Sequence, residues 1–246
     1  MTRSGVGSTE TSESAGAGSA GAAAGRTAFY ALEPGGWRDY WTLLHPPYTL
    51  WHLSYVAIGA GLAPHFALDR LAWALLAFFL AMGVAAHALD ELRGRPLATR
   101  IPAAVLVGLA SLSLAGAAAI GLGAALAWGL GLLAFVPVGV FLVVAYNLEL
   151  LRGRVHSDRW FALAWGAFPV LTGYFVEAQT LRPEAVLAAM FATLLSLAQR
   201  VLSTPARAAR RAGGAAELAH APEAALRLLW PATVALAAAL VVYRSG

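Results

Sequence analysis

The sequence predicts an all-α fold, a polytopic membrane helical bundle of about seven transmembrane helices. The residues are 59% hydrophobic and only 12% charged. Seven apolar stretches follow one another, roughly at 48–66, 70–92, 101–121, 124–147, 160–178, 184–204 and 224–243. Each is close to the ~20 residues a helix needs to cross ~30 Å of hydrocarbon. The cations alternate in side: with no lysine in the chain, fourteen arginines fall on the N-terminal side of the predicted topology and three, Arg70, Arg182 and Arg244, on the other. That asymmetry places the N-terminus in the cytoplasm and the chain in the cell membrane as a multi-pass protein.

The elements follow in order. Residues 1–28 are Gly, Ala, Ser and Thr with a few charges, too polar to fold or to form the core of a signal peptide, and are predicted to be a disordered cytoplasmic tail. Residues 29–47 form an interfacial segment. In it, Trp37, Tyr40, Trp41 and Leu44 share one helical face, as aromatic residues at headgroup depth do; an irregular lead-in is the alternative. Residues 48–246 are the transmembrane domain. Its third helix repeats Ser111, Ala115, Ala119 and Gly123, a small-residue stripe suited to close packing, and Gly121 and Gly123 predict a tight hairpin before the fourth. The stretch 205–223 reads as a loop or a frayed helix end.

The absence of cysteine excludes disulfides and thiolate chemistry. The basic pI near 9.8 belongs to an arginine belt facing anionic headgroups or ligands, and nucleic acid is not an expected partner. Ionisable groups at span ends are costly and mark functional positions. They cluster at one side: His87, Asp90 and Glu91 end the second span; Tyr146, Asn147 and Glu149 the fourth; Gln199 and Arg200, then Ser203 and Thr204, the sixth. His87 shares a helical face with Asp90 or Glu91. The simpler alternative pairs Asp90 with Arg93, Glu91 with Arg95 and Glu149 with Arg152. Arg93-Gly94-Arg95 and Arg152-Gly153-Arg154 form a small repeat, read as two glycine-terminated helices or as an anion site. Asp158 is expected to cap the fifth span, and His52 and His156 stand near the same end.

The stretch His87-Ala88-Leu89-Asp90-Glu91-Leu92-Arg93-Gly94-Arg95-Pro96-Leu97 resembles a reduced first Asp-rich motif of the UbiA-type prenyltransferase superfamily. Tyr146-Asn147-Leu148-Glu149 with Arg152 is similar to that family's segment after helix four, and Gly166, Pro169 and Gly173 to its small-residue pattern in helix five. The resemblance covers roughly residues 40–243. It implies an intramembrane bundle that transfers a prenyl group from a prenyl diphosphate to a polar or aromatic acceptor. Asp90 and Glu91 would hold Mg²⁺, with His87 as a further catalytic residue. Arg93, Arg95, Tyr146, Asn147, Glu149, Arg152, Arg154, Gln199 and Arg200 would bind substrate. Ala86 and Gly94 stand where the first motif has its further polar residues, and Gln199 and Ser203 where the second has acids. These departures give the alternative: a catalytically degenerate protein that binds an isoprenoid or another membrane lipid, or scaffolds a partner.

Overall fold

The computed structural model describes residues 28–211 and 216–246, so the expected tail lies outside the described residues except for Ala28, which is buried. Among the described residues there are eight helical rods and no strand. They are α1 Trp37–Leu43, α2 Pro46–Leu62, α3 Leu68–Leu92, α4 Ala103–Trp128, α5 Leu130–Asn147, α6 Asp158–Ala178, α7 Pro183–Arg211 and α8 Ala216–Ser245. Six of them, α3 to α8, are long and apolar enough to cross a membrane. The chain is an all-α membrane bundle. The first of the seven expected spans, α2, is a shorter helix of 17 residues, about 26 Å at 1.5 Å per residue.

Helix α2 is buried nearly all round, which explains why it is apolar without a polar face. Trp51, Tyr55 and Val56 have no or almost no exposure. Two glycines let α2 and α6 touch backbone to backbone: a Cβ on Gly59 would collide with the Val170 carbonyl, and one on Gly173 with the Val56 carbonyl. Helix α8 packs on another side of α2. Arg210 of α7 forms a largely buried bidentate pair with Glu223 of α8, one arm at 2.6 Å.

Three local expectations change. The α4 helix runs through Gly121 and Gly123 to Trp128. Glycine costs only about 1 kcal/mol in a helix, too little to open a backbone that has no water to bond with. The small-residue stripe Ser111, Ala115, Ala119 and Gly123 is exposed, and the close approach on α4 comes at Gly121, against Val136 of α5. The stretch predicted as a loop over 205–223 is mostly helix: α7 continues past Pro205 to Arg211, and α8, starting at Ala216, contains Pro222.

Helix α1 exposes Trp37, Tyr40 and Trp41, while its buried Leu43 joins a core cluster with Ala88, Ile101 and Leu106. Its buried Asp39 accepts hydrogen bonds from the backbone N–H of Gly35 at 2.9 Å and of Arg100 at 3.0 Å, tying the segment to the loop after α3.

Candidate functional site

A polar chamber of about 230 Å³ opens where α3, α5 and α7 end and α2 and α6 begin. The α2 wall carries His45, Tyr48 and His52. His45 immediately precedes Pro46-Pro47, which disfavours the right-handed helical conformation, and it adopts a left-handed one at φ 46° and ψ 55°. The α3 wall carries Met82, Ala86, His87 and Asp90, the first two from a π-helical segment, Phe79–Ala86. A second π segment, Leu163–Ala167 in α6, brings in Trp165. Helix α5 contributes Tyr146 and Asn147, and α7 contributes Gln199, Arg200, Ser203 and Arg207, whose spacing keeps them on one helical face.

The imidazoles are held in one way. Nδ1 of His45 donates to the Leu43 carbonyl at 2.8 Å, that of His52 to Trp165 at 2.8 Å, and that of His87 to Gly83 at 3.0 Å. A carbonyl only accepts, so each Nδ1 carries its hydrogen, and Nε2 of each ring is left for a ligand in the chamber. The rings of His45 and His87 lie 4.1 Å apart. Burial, and then the neighbouring His87, push His45 well below the usual histidine range, so it stays neutral near pH 7. At the rim, His156 stacks on Tyr146 with centroids 4.6 Å apart, its Nδ1 donating to the Tyr146 carbonyl.

The charges are sparse. Arg200 is already bonded to Asp158 through Nε at 2.7 Å and lies over the Phe161 ring. Among the described residues, the side chains of Asp90 and Arg207 have neither a hydrogen bond nor an ion pair. Gln199 is buried with its Oε1 unpartnered. Asn147 donates Nδ2 to the Val143 carbonyl at 2.7 Å, leaving its carbonyl oxygen available.

Of the expected site residues, the chamber brings together His87, Asp90, Tyr146, Asn147, Gln199 and Arg200. The others lie outside its wall. Glu91 is fully buried and serves the loop after α3: it accepts from the Leu97 and Thr99 N–H groups at 3.0 and 2.9 Å and from the Thr99 hydroxyl at 2.8 Å. Arg93 pairs with Glu149 at 2.9 Å and not with Asp90; Arg95 donates to the carbonyl oxygens of Ile101 and Thr99, not to Glu91. Arg152 and Arg154 are exposed on the loop after α5. Of the two expected glycine stops, Gly94 follows the end of α3 with φ 85°, whereas α5 already ends at Asn147 and Gly153, with φ 74°, closes a separate short turn over Leu151–Gly153. Ser157, not Asp158, caps α6 by accepting from the Trp160 N–H.

Of the two carboxylates expected to hold Mg²⁺, only Asp90 lines the chamber. The ion asks for an octahedron of oxygens, but Glu91 has both oxygens engaged and Glu149 is paired with Arg93. Among the described residues, Asp90 is the one carboxylate on the chamber wall, and no group of three or more His, Asp or Glu side chains is arranged to hold a metal ion.

Beyond Met82 and Trp165 the chamber adjoins an almost wholly apolar slot of about 110 Å³ between α3, α4, α5 and α6, bounded by residues such as Phe78, Leu114, Phe135, Gly139 and Phe168. Both spaces share Met82 and Trp165 as wall. Sequence reasoning missed the polar and charged chamber residues His45, Tyr48 and Arg207, and the apolar ones such as Met82 and Trp165. The available signal for Arg207 was its position four after Ser203 and seven after Arg200, visible once α7 is carried past Pro205. Comparison with protein-family models, curated proteins and solved structures finds no match for this chain.

Proposed function

We propose that the chain is a lipid-binding membrane protein that holds one amphipathic molecule, its charged head in the polar chamber and its apolar chain in the slot. The observation that carries this reading is the shared wall formed by Met82 and Trp165. A purely polar ligand would leave the dry slot empty, and a purely apolar one would leave Asp90, Arg207 and Gln199 desolvated without partners, which is unfavourable. The arginine bias puts the chamber at the cytoplasmic leaflet of the cell membrane, with the N-terminus inside. Arg93, Arg95, Arg152 and Arg154, outside the chamber, would then border the anionic headgroup surface.

The test is lipid binding to the purified protein, read by native mass spectrometry after delipidation. One tightly held phospholipid or isoprenoid phosphate per chain is expected, weakened about tenfold or more in Arg207→Gln, as loss of a charge-assisted contact implies. Only loose, saturable-free association, unchanged in that variant, overturns the reading.

A second reading, prenyl transfer, draws on the sequence resemblance. In its favour, Asp90 and Arg200 border the same space as His87 and Asn147, next to an apolar slot able to take an isoprenoid chain. Arg200 and Arg207 would stabilise the charge developing on a diphosphate leaving group, and His87 or Asn147 would orient the acceptor. Incubation with labelled prenyl diphosphates, with and without Mg²⁺, tests it: no metal-dependent binding or transfer, or binding unchanged in Asp90→Ala, removes it.

A further inference from the structure

The chamber is two-sided. On the α7 side stands Arg207, a cation with no ion pair among the described residues; on the α3 side stands Asp90, an anion with none. Both line one cavity, whose volume of about 230 Å³ far exceeds the ~15 Å³ that a single water requires. With Asp90, the wall offers hydrogen-bond acceptors, beside the Tyr48, Tyr146 and Ser203 hydroxyls, which can accept or donate. The Nδ1 atoms of His45, His52 and His87 are committed to backbone carbonyls, which leaves Nε2 of each ring for a ligand in the cavity they line. Gln199 adds a buried carbonyl oxygen with no donor. Since Arg200 is already compensated by Asp158, the remaining charges, Asp90 and Arg207, cancel. A multiply charged anion such as a diphosphate would be poorly balanced here, whereas a head with one charge of each sign would satisfy both walls.

We propose that the chamber selects a zwitterionic head that joins a phosphodiester to a primary ammonium, the phosphate against Arg207 and the N–H donors of the ammonium against Asp90 and the histidine Nε2 atoms. This rests on the lipid-binding reading and narrows it to phosphoethanolamine-type lipids. An ammonium supplies three donors for Asp90 and the other acceptors of the wall, and its charge removes the penalty of an unpartnered carboxylate in a partly desolvated site.

The experiment titrates the delipidated full chain with three phospholipids of identical acyl chains: phosphatidylethanolamine, phosphatidylcholine and phosphatidic acid. Phosphatidylcholine keeps the positive charge but has no N–H; phosphatidic acid keeps the phosphate alone. Phosphatidylethanolamine is expected to bind about tenfold tighter than either. In Asp90→Asn its affinity falls and that of phosphatidic acid rises, so the two converge, whereas Asp90→Glu retains the preference. Equal binding of phosphatidylethanolamine and phosphatidylcholine overturns the role of the acceptor wall. Phosphatidic acid binding as tightly as phosphatidylethanolamine, or a preference unchanged in Asp90→Asn, overturns the zwitterion while leaving lipid binding standing. If none of the three binds, the lipid-binding reading falls with it.

Discussion

His52 on α2 donates a 2.8 Å hydrogen bond from Nδ1 to the carbonyl oxygen of Trp165 in the π segment of α6, 113 positions further along the chain. The bond does two things: it fixes which nitrogen of the ring faces the chamber, and it occupies a carbonyl in a stretch where the helical hydrogen-bond register has changed. His87 does the same for Gly83 in the other π segment. His52→Phe keeps the ring volume but leaves the Trp165 carbonyl without this donor. It should cost about 1–3 kcal/mol of stability, visible as a lower unfolding temperature of the detergent-solubilised protein. An unchanged temperature would show the bond to be dispensable.

Gly59 and Gly173 are predicted to be the least replaceable glycines. Alanine at either would drive its Cβ into a backbone carbonyl of the facing helix, which cannot move alone. Each substitution should destabilise by about 3 kcal/mol, the upper part of the range for overpacking. Gly121→Ala is the control: its new methyl meets only the Val136 side chain, at 2.7 Å, and the gain in helix propensity offsets the adjustment. Thermal unfolding of the three variants side by side distinguishes them.

Glu91 and Asp90 are adjacent, and their variants should behave oppositely. Glu91→Gln places an amide NH₂ among three donors and should cost about 2–3 kcal/mol, with faster proteolysis in the loop over 93–101. Asp90→Asn, which breaks no intramolecular bond among the described residues, should leave stability within ~0.5 kcal/mol while changing lipid selectivity. Chemical denaturation and lipid binding on both variants give the contrast.

Acidification should destabilise the protein in part through His45. Burial and the nearby His87 depress its folded-state pKa below the ordinary value of 6.5, and Tyr30, His87 and Arg207 are the titratable or charged groups about it. Below about pH 6.5 the unfolded chain takes up a proton at this residue that the folded chain does not. Stability is therefore full above that pH and is lost as pH falls toward the folded-state value, by at most ~1.4 kcal/mol per pH unit from this group. Asn tolerates the left-handed backbone at this position, so His45→Asn should flatten the slope of stability against pH between about 6.5 and 5. Equal slopes in the two proteins would contradict the assignment.

The helical bundle was legible because span length and arginine sidedness are one-dimensional signals. Six chamber residues were legible for a related reason: polar groups at the ends of alternate spans must share one side of the membrane. Glu91 was not separable from Asp90, because helical spacing says nothing of the loop beyond Arg93, whose Leu97 and Thr99 amides turn back onto it. Arg207 lay in the stretch read as a loop or frayed helix end, where the helix runs on past Pro205 to Arg211, and His45 in the interfacial segment that ends at Pro46-Pro47, although it lines the chamber. The apolar slot had no sequence signature, since a gap between four packed helices depends on side-chain shape and not on pattern.

Whether chamber and slot hold one molecule together is read from a high-resolution electron cryomicroscopy map of the protein in lipid nanodiscs. Continuous elongated density is expected from between Asp90 and Arg207, past Met82 and Trp165, to the apolar walls at Phe135 and Gly139. Isolated water peaks in the chamber, with side chains closed across the slot at Met82 and Trp165, would contradict it.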